Sequence, residues 1–170
     1  LAVAILPGTA GAQSVNSSVE PVTLQPGDRI KVTIWREAEL SGDFLVDADG
    51  VVTLPLLGEK TLTDIPLSEL RRTLADEYRI HLRNPSIDIV PLRKVLVLGE
   101  VRTPGPYEVD PTESVLGAIA QAGGATSAGN IERVSIVRGG EVIADRVPVD
   151  QTLAALQIRS GDQVFVNPRS

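Results

Sequence analysis

Two small α+β domains in tandem are what this sequence predicts: an α/β sandwich over residues 22–92, then a β-grasp-like unit over residues 93–170. Three observations carry that expectation. The chain has 170 residues, enough for one ordinary domain or two small ones. Short alternating apolar runs dominate, broken by two stretches with helical spacing. And "LQPGDRIKVTIW" (Leu24–Trp35) is echoed by "IRSGDQVFVNP" (Ile158–Pro168), each placing Gly-Asp just before an alternating run.

The first residues, "LAVAILPGTAGAQS", are apolar and uncharged and end in Ala10-Gly11-Ala12 before Gln13. An apolar run followed by a small-x-small site reads as the remnant of a signal peptide over residues 1–12, implying work outside the cytoplasm. The bland alternative is a frayed apolar terminus. The run is too short to span a bilayer. Residues 13–21 then form a Ser/Asn-rich leader.

The first strand is expected over Arg29–Trp35, with Ile30, Val32 and Ile34 on one face. Gly27 and Asp28 supply the turn that launches it, Gly through positive φ and Asp by bonding a nearby backbone N–H. Asp47, Asp49 and Gly50 hinge the next two apolar runs as a hairpin, and Pro55 and Gly58 end its second arm. "TDIPLSELRRTLADEYRI" reads as an amphipathic helix capped by Asp64, with Pro66 in its first turn and an apolar stripe of Leu67, Leu70, Leu74 and Tyr78. Arg71, Arg72, Arg79, His81 and Arg83 alternate with acids and read as a solvated helix face. Pro91 marks an edge or a break, placing the domain boundary near Leu92 or Arg93, with a short connection.

In the second half, "KVLVLGEVRTPGPYEV" is two strands around a turn containing Pro104 and Gly105. "DPTESVLGAIAQAGG" is a helix capped by Asp110, with Pro111 first, Glu113 completing a capping box, and Gly123 and Gly124 as the stop. Val115, Leu116, Ile119 and Ala120 are its predicted buried side. "RVSIVRGGEVIADRV" folds over Gly139-Gly140, and "SGDQVFV", launched by Gly161 and Asp162, closes the unit. Each Gly-Asp is therefore expected to lead into a strand at the edge of its own small sheet.

Composition removes most chemistry. With 16 Lys and Arg against 22 Asp and Glu the net charge is −6, without the basic surplus that counterion-release binding of nucleic acid requires. The chain has no Cys and one His, so disulfides and thiolate chemistry are excluded and an imidazole metal site is not expected. Asp47 and Asp49 lack the further ligands of a calcium loop, since Val51, Val52 and Thr53 follow Gly50. The run "GGATSAG" follows a helix instead of opening one, so it lacks a phosphate cradle. There is no Gly-x-Ser-x-Gly elbow, and His81 reads as a polar residue at a helix C-terminus. With one Trp, two Tyr and two Phe, a stacking groove for sugars is not expected. No catalytic, cofactor-binding or metal residue is predicted, and no cofactor.

The ordered string "LQPGDRIKVTIW…LSGDFLVDADGVVTLPLLGEKTLTDIPLSELRRTL" resembles the polysaccharide biosynthesis/export domain of bacterial outer-membrane polysaccharide exporters. "VLVLGEVRTPGPYEVDPTESVLGAIAQAGGATSAGN" resembles the SLBB domain that follows it in that family. The shared series includes Pro26-Gly27-Asp28, Asp47 to Gly50, Pro55 with Gly58, Gly99 with Val101, Pro104-Gly105 and Gly161-Asp162. The resemblance implies an export-type sandwich followed by an SLBB β-grasp. It implies a non-enzymatic, periplasmic homo-oligomer, a ring associated with the outer membrane. Such a ring passes capsule or exopolysaccharide, as transient cargo, from an inner-membrane polysaccharide copolymerase. Long members carry a lipid-anchor Cys, more SLBB units and a C-terminal amphipathic helix; this sequence shows none of these. The expectation is a short exporter that works with a separate outer-membrane β-barrel, or a periplasmic adaptor. The alternative is a soluble ligand-binding β-grasp module.

Overall fold

A computed structural model describes residues 21–170. The predicted signal remnant and nearly all of the leader lie outside the described residues. Along the chain run β1 (Arg29–Ile34), β2 (Gly42–Leu45), β3 (Val51–Leu54), β4 (Gly58–Thr61), α1 (Leu67–Tyr78), β5 (Ile87–Gly99), β6 (Gly105–Val109), α2 (Val115–Gln121), β7 (Gly129–Arg138), β8 (Glu141–Ala144) and β9 (Gln163–Pro168). The class is α+β, as the alternating apolar runs predict.

One seven-stranded sheet holds most of the strands in the order β2-β1-β5-β9-β7-β8, with β6 also on β5. β1 lies antiparallel to the first part of β5, from Arg29↔Leu92 to Ile34↔Ile87. β9 lies parallel to the last part, from Leu96↔Gln163 to Gly99↔Val166. Backbone bonds from Trp35 to Ser86 O, just before β5, and from Gly161 to Lys94 O and Leu96 to Asp162 O within it, all use even-numbered residues of this stretch. β1 and β9 therefore lie end to end along one edge of that strand, and β6 takes the other edge from Arg93 onward. β3 and β4 form a separate two-stranded ribbon.

This arrangement corrects three expectations. The strands launched by the two Gly-Asp pairs are interior members of one shared sheet, not edges of two. No connecting segment separates the halves, because β5 runs unbroken for 13 residues. Pro91 is tolerated inside it because its nitrogen, on an odd-numbered residue, faces the edge that β6 reaches only at Arg93. The predicted hairpin over Asp47–Gly50 also divides differently. The turn forms, with Asp47 Oδ1 accepting from Asp49 N at 2.9 Å and Val51 N at 2.8 Å. Its arms, however, pair elsewhere: β2 with β1, and β3 with β4 around the Pro55–Leu57 turn, where Leu54 faces Gly58.

Two apolar cores result. In the first, Ile30, Val32 and Ile34 pack with Leu70, Leu74 and Tyr78 of α1, all buried. The Tyr78 hydroxyl donates to Pro55 O at 3.0 Å, and burial raises its pKa. The second joins Val95, Val97, Val164 and Val166 to Val115 and Ile119 of α2. Both helices start later than expected. Pro66, not Asp64, is the N-cap of α1, without a side-chain bond. Ser114, not Asp110, caps α2, its hydroxyl accepting from Gly117 N at 3.1 Å. Asp110 instead holds Thr112 N at 2.8 Å. The buried side of α2 is Val115, Ala118 and Ile119, while Leu116 and Ala120, expected to be buried, face solvent.

Candidate functional site

The echo has a three-dimensional answer. Leu24-Gln25-Pro26-Gly27-Asp28 and Ile158-Arg159-Ser160-Gly161-Asp162 fold into the same hook. Leu24 and Ile158 are buried at matching positions. Gly27 and Gly161 sit at φ +90° and +91°, a conformation that glycine adopts without a Cβ penalty. Asp28 Oδ2 accepts from Gln25 N at 2.9 Å, and Asp162 Oδ2 accepts from Arg159 N at 2.8 Å. Asp28 N returns a bond to Gln25 O at 3.0 Å, and Asp162 N to Arg159 O at 3.1 Å.

Each hook is gripped by an arginine. Arg93 donates Nε to Asp28 Oδ1 at 2.9 Å and Nη2 to Oδ2 at 2.8 Å. Arg138 donates to both oxygens of Asp162, at 2.8 and 2.6 Å. Such bidentate, charge-assisted pairs fix geometry as well as energy. The hooks also touch. Ser160 Oγ donates to Gly27 O at 3.0 Å, and Arg93 spends its remaining reach on Ile158 O at 3.0 Å. One guanidinium, planted at the middle of β5, thus ties the start of β1 to the approach of β9.

Neither hook has reactive character. Arg93 and Asp28 are 1% and 0% exposed, so the pair is closed to a substrate. Beside it lies an open cleft of about 650 Å³ lined by Val22, Gln25, Arg93, Thr152, Gln157 and Arg159 among others. Asp47 and Asp49 end in their turn, with no third acid near; among the described residues no group of three or more His, Asp or Glu could hold a metal. Gly123 and Gly124 close α2, their N–H groups bonding Ala120 O and Ile119 O. Gly99 marks a close approach: a Cβ there would stand 2.3 Å from Val166 O. Gly105 already belongs to β6, so the preceding turn closes at Pro104. Gly50 and Gly58 occupy their turns with positive φ. His81 follows α1 in a solvent-exposed turn.

A second polar cluster lies on β7, β9 and the segment after β8. Ser135 Oγ donates to Asp145 Oδ1 at 2.7 Å and accepts from Asn167 Nδ2 at 2.8 Å. The Ser135 hydroxyl first, then the Arg146 backbone N–H and the charges of Arg146 and Arg133, hold the Asp145 carboxyl below its usual range.

Sequence reading did not find Arg93, Arg138 or Ser160. A usable signal existed for the first: Arg93 is the charged residue that keeps the inward period of Ile87, Ile89, Val95 and Val97, and a buried arginine implies a carboxylate partner. Arg138 lies beside a Gly-Gly turn, where an arginine looks solvated.

A shared sheet with twin hooks, two small helices and no reactive cluster among the described residues defines a two-module scaffold. Its modules match known families in order: polysaccharide biosynthesis/export protein over residues 16–90, then the SLBB domain over residues 94–145. The chain belongs to this polysaccharide export family. It is 28% identical to the polysialic acid transport protein KpsD of Escherichia coli over 156 residues, covering 86% of this chain and 28% of that protein. With the exopolysaccharide production protein ExoF of Rhizobium meliloti it shares 30% identity over 118 residues, 62% of this chain and again 28% of the relative. The chain thus spans under a third of the length of these relatives. Among the described residues, no helix is long and apolar enough to cross a membrane.

Proposed function

We propose that this chain is a ring-forming periplasmic component of a capsule or exopolysaccharide secretion system, associated with the outer membrane. It conducts polymer from an inner-membrane copolymerase outward, making and breaking no bond. The observation that carries this reading is the order of the two modules, export domain then SLBB, on one continuous sheet. Relatives named for polysialic acid transport and exopolysaccharide production support the cargo class. The open, polar surface suits a passage that must release what it carries, since tight sugar binding uses exposed aromatic platforms. Exposed carboxylates suit passage of an anionic polymer, by repelling it from the wall. The residues of the two hooks serve here as structure, not chemistry, and 22–92 and 93–170 act as two modules on a shared strand.

The test is assembly together with partner binding. Light scattering and negative-stain imaging of the purified protein should show closed oligomers that bind the cognate copolymerase. Strict monomers at high concentration, with no copolymerase binding, would defeat the reading. A soluble-ligand role has the cleft beside Arg93 in its favour. Saturable heat on titrating a small sugar into the full chain, lost on Arg159→Ala, would select it instead.

A further inference from the structure

Both cores lie on one face of the shared sheet. Odd-numbered residues of β5 feed them both: Ile87 and Ile89 the first, Val95 and Val97 the second. α1 and α2 therefore cover the same face, and the even-numbered residues of β5 point the other way. Over the second module that open face is apolar. Pro106, Leu96, Gln163, Val137 and Val142 form one row across five strands, and Leu98, Phe165 and Ser135 form the next. Leu96, Leu98, Val137 and Phe165 are half-buried yet belong to neither core, and Val142 is 61% exposed. Neither row carries a charged residue.

α2 presents a second bare surface, on the opposite side of the same module. Val115, Ala118 and Ile119 face the sheet. The exposed side, with Leu116 45% exposed and Ala120 open to solvent, is turned away from it. The helix reads VLGAIAQ, without a charge, where a solvated helix ordinarily shows a charged or polar face. The first module supplies the contrast. α1 exposes Ser68, Glu69, Arg72 and Asp76, and the open face beside it carries Arg29, Lys31 and Asp43.

We propose that α2 of one copy of this chain docks on the open sheet face of the next copy's second module, setting Leu116 over the row through Leu96, Gln163 and Val137. The sheet then carries a helix on each face, a standard way of covering an apolar sheet on both sides. Chains with a net charge of −6 repel one another, and two uncharged faces are where copies approach at least cost. Front meets back, a head-to-tail contact that closes into a ring when the rotation permits. The five strands offer roughly 400 Å² by ordinary strand spacing and rise, half of the about 800 Å² per partner that a standard stable interface buries. One contact is too small to hold two copies alone, and in a closed ring every copy makes it twice. This placement rests on the ring reading above and names the surfaces that make it.

The absence of cysteine makes the test direct. In the full chain, Leu116→Cys with Gln163→Cys should yield a covalent ladder with a short bis-maleimide, while either single variant stays uncrosslinked. Leu116→Lys and Gln163→Lys, made separately, alter side chains outside both cores. Each should keep the circular dichroism spectrum and weaken assembly about tenfold or more, the loss expected of an interface anchor. Oligomers that persist in both lysine variants, with no ladder from the cysteine pair, would overturn this placement and leave the ring reading standing. Crosslinked dimers from Gln163→Cys alone would also overturn it, in favour of two open faces packing on each other. A wild-type chain that remains monomeric would overturn the ring reading, and this placement with it.

Discussion

The two hooks share a backbone and a ligand pattern, yet stand in different surroundings. Asp28 and Arg93 are sealed, with side chains 0% and 1% exposed. Asp162 is equally covered, at 3%, but its Arg138 is 34% exposed. The first pair closes a gap between two cores, where water cannot replace a missing partner. The second closes a rim, where it can. The same motif therefore serves as an internal rivet in one place and a surface clasp in the other, and burial of the arginine makes the difference.

That contrast can be broken by substitution, the largest effect first. Arg93→Ala strands the Asp28 carboxylate and should cost about 3–5 kcal/mol, the range for halving a buried ion pair. Urea denaturation of the full chain reads it, and an equal loss for Asp28→Ala would show the pair acting as a unit. Arg138→Ala should cost less, about 1.5–3 kcal/mol at most, since it removes charge-assisted bonds whose donor is already hydrated. Should the two arginine variants prove equal, burial is not what separates the hooks.

The glycines sharpen the comparison. Gly27→Ala and Gly161→Ala meet the same left-handed strain, roughly 1–3 kcal/mol. A Cβ at Gly27 would also stand 3.0 Å from Ser160 Cβ, whereas nothing lies within 4 Å at Gly161. The first variant should be the less stable by about 1 kcal/mol. Combining Gly27→Ala with Ser160→Gly should narrow the gap.

The smallest effect concerns the rim alone. Asp145 titrates below its usual range when folded, chiefly because Ser135 donates to it. Its contribution is full above the ordinary carboxylate range and is lost as pH falls through the lowered folded value. Wild type should thus lead Ser135→Ala by more at neutral pH than in acid, as denaturant melts across pH would show.

Much of this was legible in the sequence. Alternation located β1, β7, β8 and β9, helical spacing located α1, and the repeated Gly-Asp marked both hooks. What was hidden has a common cause: it depends on residues far apart. Arg93 reaches Asp28 across 65 positions, and no local pattern announces that distance. The acidic turn at Asp47–Gly50 looks like a hairpin because its four residues do make the turn, while the choice of partner strands is set by β1 and β4. The α2 start was misplaced because Asp110 and Ser114 are both good caps.

The unbroken course of β5 has a practical consequence. Residues 92 and 93 look like the natural place to divide the protein, but a cut there passes through the middle of a strand some 40 Å long by ordinary strand rise. Either fragment would lose one end of its central beam and expose a raw ladder. A twist imposed on one module is delivered to the other along a continuous backbone, with no swivel between them to absorb it.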